Sequence, residues 1–316
     1  MRLALAGDTM LGRGVADELR RRPPESLVDP DVVALVRSAD LIVLNLECCI
    51  SEGGRPEHKV FTFRAPPAAA EVLAHLGVDC VTLANNHALD YGPDALLDTF
   101  EHLRRVGIRW VGAGADVTEA RAAALLEDAG MRLAVRGVTD HPPSWAATDT
   151  DPGVAHADLR RGVPDWVTEE AGDVDAVLVT PHWGPNMTAE PVGHVRAAAA
   201  ALRDAGVTLV AGHSAHVFHG VEDNVLYDLG DFVDDYRTDR DLRNDLGLLF
   251  LVDLEPKGLT RLEAVPLKLE YAHTRLAEGS DAAWVRRRFC AACAALGTEV
   301  SEAAERLVIS WHDAAD

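Results

Sequence analysis

Six times along this chain a short apolar run of strand character stops at a cluster of carboxylate, amide and imidazole side chains. The runs are LALAGDTMLGR, VLNLE, VTLANNHALDYG, VLVTPHWGPN, LVAGHSAHV and LYDLGDFVDD. A soluble strand end needs no such residues, and a lone aspartate there more often caps the next helix. Six in succession are the strongest constraint on the fold. Ligands in open α/β sheets bind outside the carboxyl ends of strands, so an α/β protein is expected whose clusters converge on one rim.

The rhythm between the clusters supports that class. Strand-like LALAG, LIVLNLE, VDCVTLANNH and IRWVGAG alternate with PDVVALVRSA, APPAAAEVLAHLG and PDALLDTFEHLRRVG, whose apolar residues recur at helical spacing. MRLAVRGVTD, DAVLVTPHWG and VTLVAGHSAH then read as strands, and VGHVRAAAAALRDAG as a helix closing on Gly206. From about residue 224, strands follow one another without helices, which predicts a second, partly antiparallel sheet. Two helices are expected near 281–296 and 300–308, so residues 271–316 form a helical extension packed on a 1–270 domain. The irregular segment from His141 to Asp165 is expected to be a long loop bordering the site.

Charge and thiols narrow the function classes. Acidic residues outnumber basic ones 51 to 30, giving a net charge of −21, which argues against a nucleic-acid-binding face. Five cysteines, with Cys48 and Cys49 adjacent, do not make a secreted disulfide framework. Cys290 and Cys293 lie in an alanine-rich helical stretch and read as core thiols. No membrane-length apolar run and no leader are evident, so a cytoplasmic protein is expected.

The residue types at the strand ends suit a catalytic divalent metal site. Asp8, Glu47, Asn86, His182, His213 and His216 form a borderline-hard ligand set for one or two Mn, Fe or Zn ions, with Glu47 the bridge if there are two. His87 follows Asn86 and points differently, as a general acid would, with Asp90 to orient its ring and Asn85 in the same turn. Arg13, between Gly12 and Gly14, is a candidate anion fork, and Trp183 a candidate pocket wall or core residue. His58, His75, His102, His141, His156, His194, His219, His273 and His312 have no comparable context and read as surface or core histidines.

With GDTMLGR, NLE, ANNHALDYG, HWG, GHSAHV and YDLGDF in that order, residues 1–270 resemble the CapA family of capsule and poly-γ-glutamate synthesis. The fold of that family is similar to calcineurin-like metallophosphoesterases. The resemblance implies a four-layer αββα sandwich, with Asp8, Glu47, Asn86 and His182 as ligands and His87 as catalytic acid. This chain departs from the pattern in four places. His213-Ser214-Ala215-His216 replaces His-Pro-His, so Ser214 stands where the family has a ligand. Met10 occupies the histidine position of the phosphoesterase Asp-x-His. Asn186 stands near a usual glutamate. DLGDF replaces SLGNF and adds Asp228 and Asp231, which could bind a cationic substrate group, restore metal ligation or cap a turn.

Three functions are consistent with these residues. The first is hydrolysis of a phosphate ester by a metal-activated water, with His87 protonating the leaving group. The second is an amide or γ-glutamyl hydrolase or transferase, as the resemblance implies. The third is a non-catalytic binding protein with a degenerate site, motivated by Met10 and Ser214. The expected substrate is a small molecule or short polymer, with no nucleic acid or membrane involved. The helices after residue 281 leave a homodimer open.

Overall fold

The computed structural model describes residues 1–169, 172–256 and 258–311; His312 lies outside them. It is an α/β protein with four layers, αββα. Strand β1 (Arg2–Thr9) shows why: Leu3 and Leu5 point into one apolar cluster and Ala4 and Ala6 into another, so the strand is buried on both faces. β2 (Leu41–Leu46), β3 (Cys80–Thr82) and β4 (Arg109–Val111) extend from β1 in parallel. Helices α1 (Arg13–Leu19), α2 (Pro30–Val36), α3 (Ala68–Leu76) and α4 (Gly92–Arg105) contribute apolar side chains to the cluster on the outer face.

The second sheet is built from β5 (Ala124–Asp128), β6 (Met131–Thr139), β7 (Ala176–His182), β8 (Leu209–Ala211) and β9 (Val225–Leu226). Strands β6 to β9 run parallel and β5 is antiparallel to β6. Its inner face, through Leu133, Val135, Leu178 and Leu226, shares a core with Leu3, Leu5 and Val43 of the first sheet. Its outer face is covered by α5 (Gly193–Asp204), whose Val195, Ala198 and Leu202 pack with Val179 and Val210.

The sequence rhythm misplaces the second sheet. Residues beyond 226 do not found one: along the edge of β1 opposite β2, β10 (Asp231–Val233) pairs parallel with the end of β1, and β11 (Leu246–Glu255), which forms a long antiparallel hairpin with β12 (Gly258–Glu270), pairs with its start. Helix α6 (Gly279–Ala294) matches the expected 281–296 helix, and its Val285, Phe289 and Cys293 enter the core between the sheets. The helix expected at 300–308 is instead a hairpin, β13 (Ser301–Ala303) and β14 (Arg306–Ser310), that adds to β12. Leu307 and Ile309 alternate inward there, so edge pairing and burial override the short helical pattern. Among the described residues, no helix is long and apolar enough to cross a membrane.

Candidate metal centre

The parallel strands of both sheets deliver their carboxyl ends to one rim. Asp8 faces Asp231 across β1 and β10, Glu47 follows β2, and His182, the last residue of β7, bridges to His213 beyond β8. Gly7 allows the close approach at β1: a Cβ there would sit 1.9 Å from the carbonyl oxygen of Gly230, and the β1 register shifts at this point. Asp8 is therefore displaced from a regular strand position and held by its backbone N–H, which donates to Gly230 at 2.8 Å.

Asp8, Glu47 and His216 each offer a ligand atom within 4.8 Å of the others, and all three are buried. Asp8 Oδ1 accepts from Asn45 Nδ2 at 2.8 Å and lies 3.0 Å from His213 Nδ1; His216 Nδ1 lies 3.2 Å from Asp8 Oδ2 and 2.9 Å from Asp231 Oδ1. Around this group, both carboxylate oxygens of Glu47, Asn86 Oδ1, Asp231 Oδ2 and His182 Nδ1 are buried with no hydrogen-bond partner. Buried polar atoms are paired in the great majority of cases, and an unpaired buried charge costs several kcal/mol. Such a concentration of unpartnered atoms on one rim fits a divalent cation, for which carboxylate, amide oxygen and imidazole are suitable donors.

The electrostatics carry the same message. Burial, reinforced by Asp8, pushes the Glu47 carboxyl well above the usual range. Burial opposes charge on His216, yet Asp231 and Glu47 hold its imidazolium well above the usual value. Asp234, buried beside Asp231, is pushed up to about 6 by burial. The site thus gathers more carboxyl groups than its protein partners can hold ionised, which a cation would relieve.

Beside this group, His87 Nδ1 lies 2.6 Å from Asp90 Oδ2, and Lys59 Nζ lies 2.7 Å from Asp90 Oδ1. Burial pushes the His87 imidazole down to about 4, against the pull of Asp90. The ring is consequently neutral at pH 7, and the Asp90 carboxylate favours the tautomer with its proton on Nδ1. Asn85 donates to Asn45 Oδ1 and the Leu46 carbonyl and accepts from the His87 amide, so it is a positioning residue that ties the turn to β2. A cavity of about 330 Å³ opens next to Asn86, lined by Glu57, His58, Lys59, His141, Pro142 and Trp145.

The other expected binding residues are placed differently. Trp183 is buried under α5 with Nε1 donating to the Tyr227 carbonyl, so it packs in the core, and it also lines a small cleft with Gly184, Ala215 and Asp228. Asp228 accepts from the Ala215 and Gly230 amides, so of its three readings the turn cap is the one realised. Arg13 is engaged through Nε by Asp235 at 3.2 Å and lies over the rings of Phe61, Phe63 and Tyr236, which orients its guanidinium. Asn186 is exposed. Ser214 Oγ donates to Gly184 and Met10 is core. Sequence reasoning missed Asn45, Lys59 and the Asp140, His141 and His194 group. Of these Asn45 lies inside VLNLE, and Asp140 and His141 in VTDH, itself a polar stop to a strand, whereas Lys59 and His194 carried no such signal.

Relatives of known sequence point to one family. A Mycobacterium tuberculosis protein called "Probable polyglutamine synthesis accessory protein" is 31% identical over 336 residues, covering 89% of this chain and 88% of its own. The PGA biosynthesis protein CapA of Bacillus subtilis is 28% identical over 277 residues, covering 85% of this chain and 72% of that one. Among solved structures, a hypothetical protein from Thermus thermophilus aligns over 87% of this chain and 96% of its own at 19% identity, with a TM-score of 0.45. Haemophilus influenzae NAD nucleotidase aligns over 91% of this chain and 54% of its own at 10% identity, with a TM-score of 0.43. The family described as "Bacterial capsule synthesis protein PGA_cap" matches residues 2–236, and this chain belongs to it.

Proposed function

We propose that the chain is a metal-dependent hydrolase and that its bond is a phosphate ester in a small molecule or short polymer. The observation that carries this reading is Glu47, fully buried with both oxygens unpartnered and grouped with Asp8 and His216. Asp8, Glu47 and His216 would hold one ion, and Asn86 and His182 a second, with Glu47 between them. A divalent ion supplies Lewis acidity there: it lowers the pKa of water and stabilises charge developing on the reacting centre.

The chain's own residues supply the proton transfer. Asp90 fixes the His87 proton at Nδ1 and so presents Nε2 to the substrate. An anionic group in front of Nε2 raises the basicity of the ring, which takes up a proton with the substrate and returns it to the leaving oxygen. Lys59 neutralises Asp90 and keeps the pair in place. The test is turnover of phosphomonoester and phosphodiester panels by chelator-treated protein reloaded with Mn²⁺, Fe²⁺ or Zn²⁺. Loss of activity in Asp8→Asn and Glu47→Gln is expected, and a metal-loaded protein inert on every panel member sinks the phosphoester reading.

Family membership favours a second reading, in which the same site cleaves or transfers a γ-glutamyl amide. The same Lewis acidity serves a carbonyl centre. Release of glutamate from γ-glutamyl peptides, lost in His87→Ala, would place the activity there.

A further inference from the structure

The strand-end rule that singles out six clusters also applies to a seventh. β6 ends at Thr139, in register with His182 at the end of β7, so Asp140 and His141 leave the sheet on the same rim as the metal-site residues. Asp140 is held from three sides. Its Oδ2 accepts from the Gly184 amide at 3.0 Å and lies 3.2 Å from His194 Nε2, while its Oδ1 is hydrogen-bonded to His141 Nδ1. A carboxylate that fixes one imidazole nitrogen aims the other, and metal-ligating histidines are oriented in this way.

The spacing agrees. The His141 and His182 rings are centred 5.3 Å apart. A ligating nitrogen ~2.1 Å from an ion puts its ring centre roughly 3.2 Å away, so two imidazoles at a tetrahedral angle are centred about 5 Å apart. His141 also shares its cavity with Asn86, whose Oδ1 is buried without a partner. Ser214, by contrast, supplies no imidazole, and its hydroxyl is oriented by donating to the Gly184 carbonyl. His213 directs Nδ1 at Asp8.

We propose that His141 is a metal ligand that completes, with Asn86, His182 and Glu47, the half of the centre that Ser214 leaves short. Asp140 and His194 are the positioning residues that hold it. The proposal rests on the reading of the rim as a metal centre, but it concerns ligand identity and not the bond cleaved. It also makes the seventh strand end part of the site, with the polar stop VTDH as its mark in the sequence.

Metal uptake tests it without any substrate. Metal-free wild type, His141→Ala, Asp140→Asn and the control His102→Ala, in the last turn of α4, are titrated with Mn²⁺ and Zn²⁺ by calorimetry, with bound metal counted after equilibrium dialysis. The His141 side chain is 30% exposed, so its truncation is expected to leave the metal-free Tm close to wild type. Wild type is expected to take two equivalents. His141→Ala should lose one of them or bind it at least tenfold more weakly, Asp140→Asn should weaken the same one by about 10- to 100-fold, and His102→Ala should match wild type. Both equivalents retained in His141→Ala with unchanged affinity would overturn the proposal, as would a single wild-type equivalent that the substitution leaves untouched. Wild type that takes up no metal overturns the metal-centre reading itself, which distinguishes that failure from this one.

Discussion

His87 and Asp90 are joined across a single turn by a 2.6 Å contact from Nδ1 to Oδ2, and Asp90 is simultaneously bound by the Phe63 amide. The imidazole is thereby fixed in orientation and tautomer, with Phe63 packed edge-on at 4.3 Å. His87→Ala is expected to cut kcat by about 10²- to 10⁴-fold, the usual worth of a positioned acid–base group, while metal content stays at the wild-type level. Asp90→Asn should lose less. Steady-state kinetics with parallel metal analysis checks both, and a His87→Ala enzyme retaining most of its kcat would remove His87 from the mechanism.

Glu47 predicts opposite signs with and without metal. Its carboxyl is buried without a hydrogen-bond partner, and burial and Asp8 oppose its ionisation, so Glu47→Gln in metal-free protein removes the cost of holding an acid there at neutral pH and should raise Tm by a few degrees. The stabilisation that a divalent ion adds, about 2.7 kcal/mol at a hundredfold excess over Kd, should shrink in the same variant. Thermal melts in chelator and in Mn²⁺ measure both. A wild-type Tm that does not respond to metal contradicts the assignment.

Asp228 braces the turn that carries His216. Each of its oxygens accepts one backbone N–H, from Ala215 at 2.8 Å and Gly230 at 2.9 Å. Asp228→Asn must turn an amide NH₂ toward one of those donors, which is expected to cost about 1–3 kcal/mol. Because His216 sits at φ 59° in that turn, metal affinity should fall along with stability. Denaturant unfolding together with a metal titration tests the linkage, and a variant destabilised with metal affinity unchanged would separate the turn from the site.

His219 predicts a pH dependence outside the metal centre. Burial pushes its imidazole from 6.5 down to about 4, against the hydrogen bond to the Thr188 carbonyl. Between those values the unfolded chain binds a proton that the folded protein does not, so stability is lost as pH falls from about 6.5 toward 4. The full shift is worth roughly 3 kcal/mol. His219→Gln should flatten the acid limb of the stability curve. Parallel wild-type and variant curves between pH 7 and 4.5 would show that His219 does not titrate in this way.

Much of the rim is legible locally. Asp8, Glu47, Asn86, His87 and His182 stand out because each ends an apolar run, and a parallel strand buried on both faces advertises itself by that run. The C-terminal hairpin is not legible: Ser301–Ala303 and Arg306–Ser310 are strands because the edge of β12 and the apolar core accept Leu307 and Ile309. Proximity to motifs puts Trp183 and Asp228 beside the substrate, whereas their hydrogen bonds are to backbone groups on other elements.

The amino-acid sequence by itself determined the strand ends, the donor types and their order, because periodicity and turn chemistry act over a few residues. Only the tertiary structure decided which of those donors meet. The Asp8 to His213 contact spans 205 positions. The approach of His141 to His182 depends on β6 and β7 lying side by side in register. Strand pairing is set by the burial of whole faces, and no local pattern carries that information.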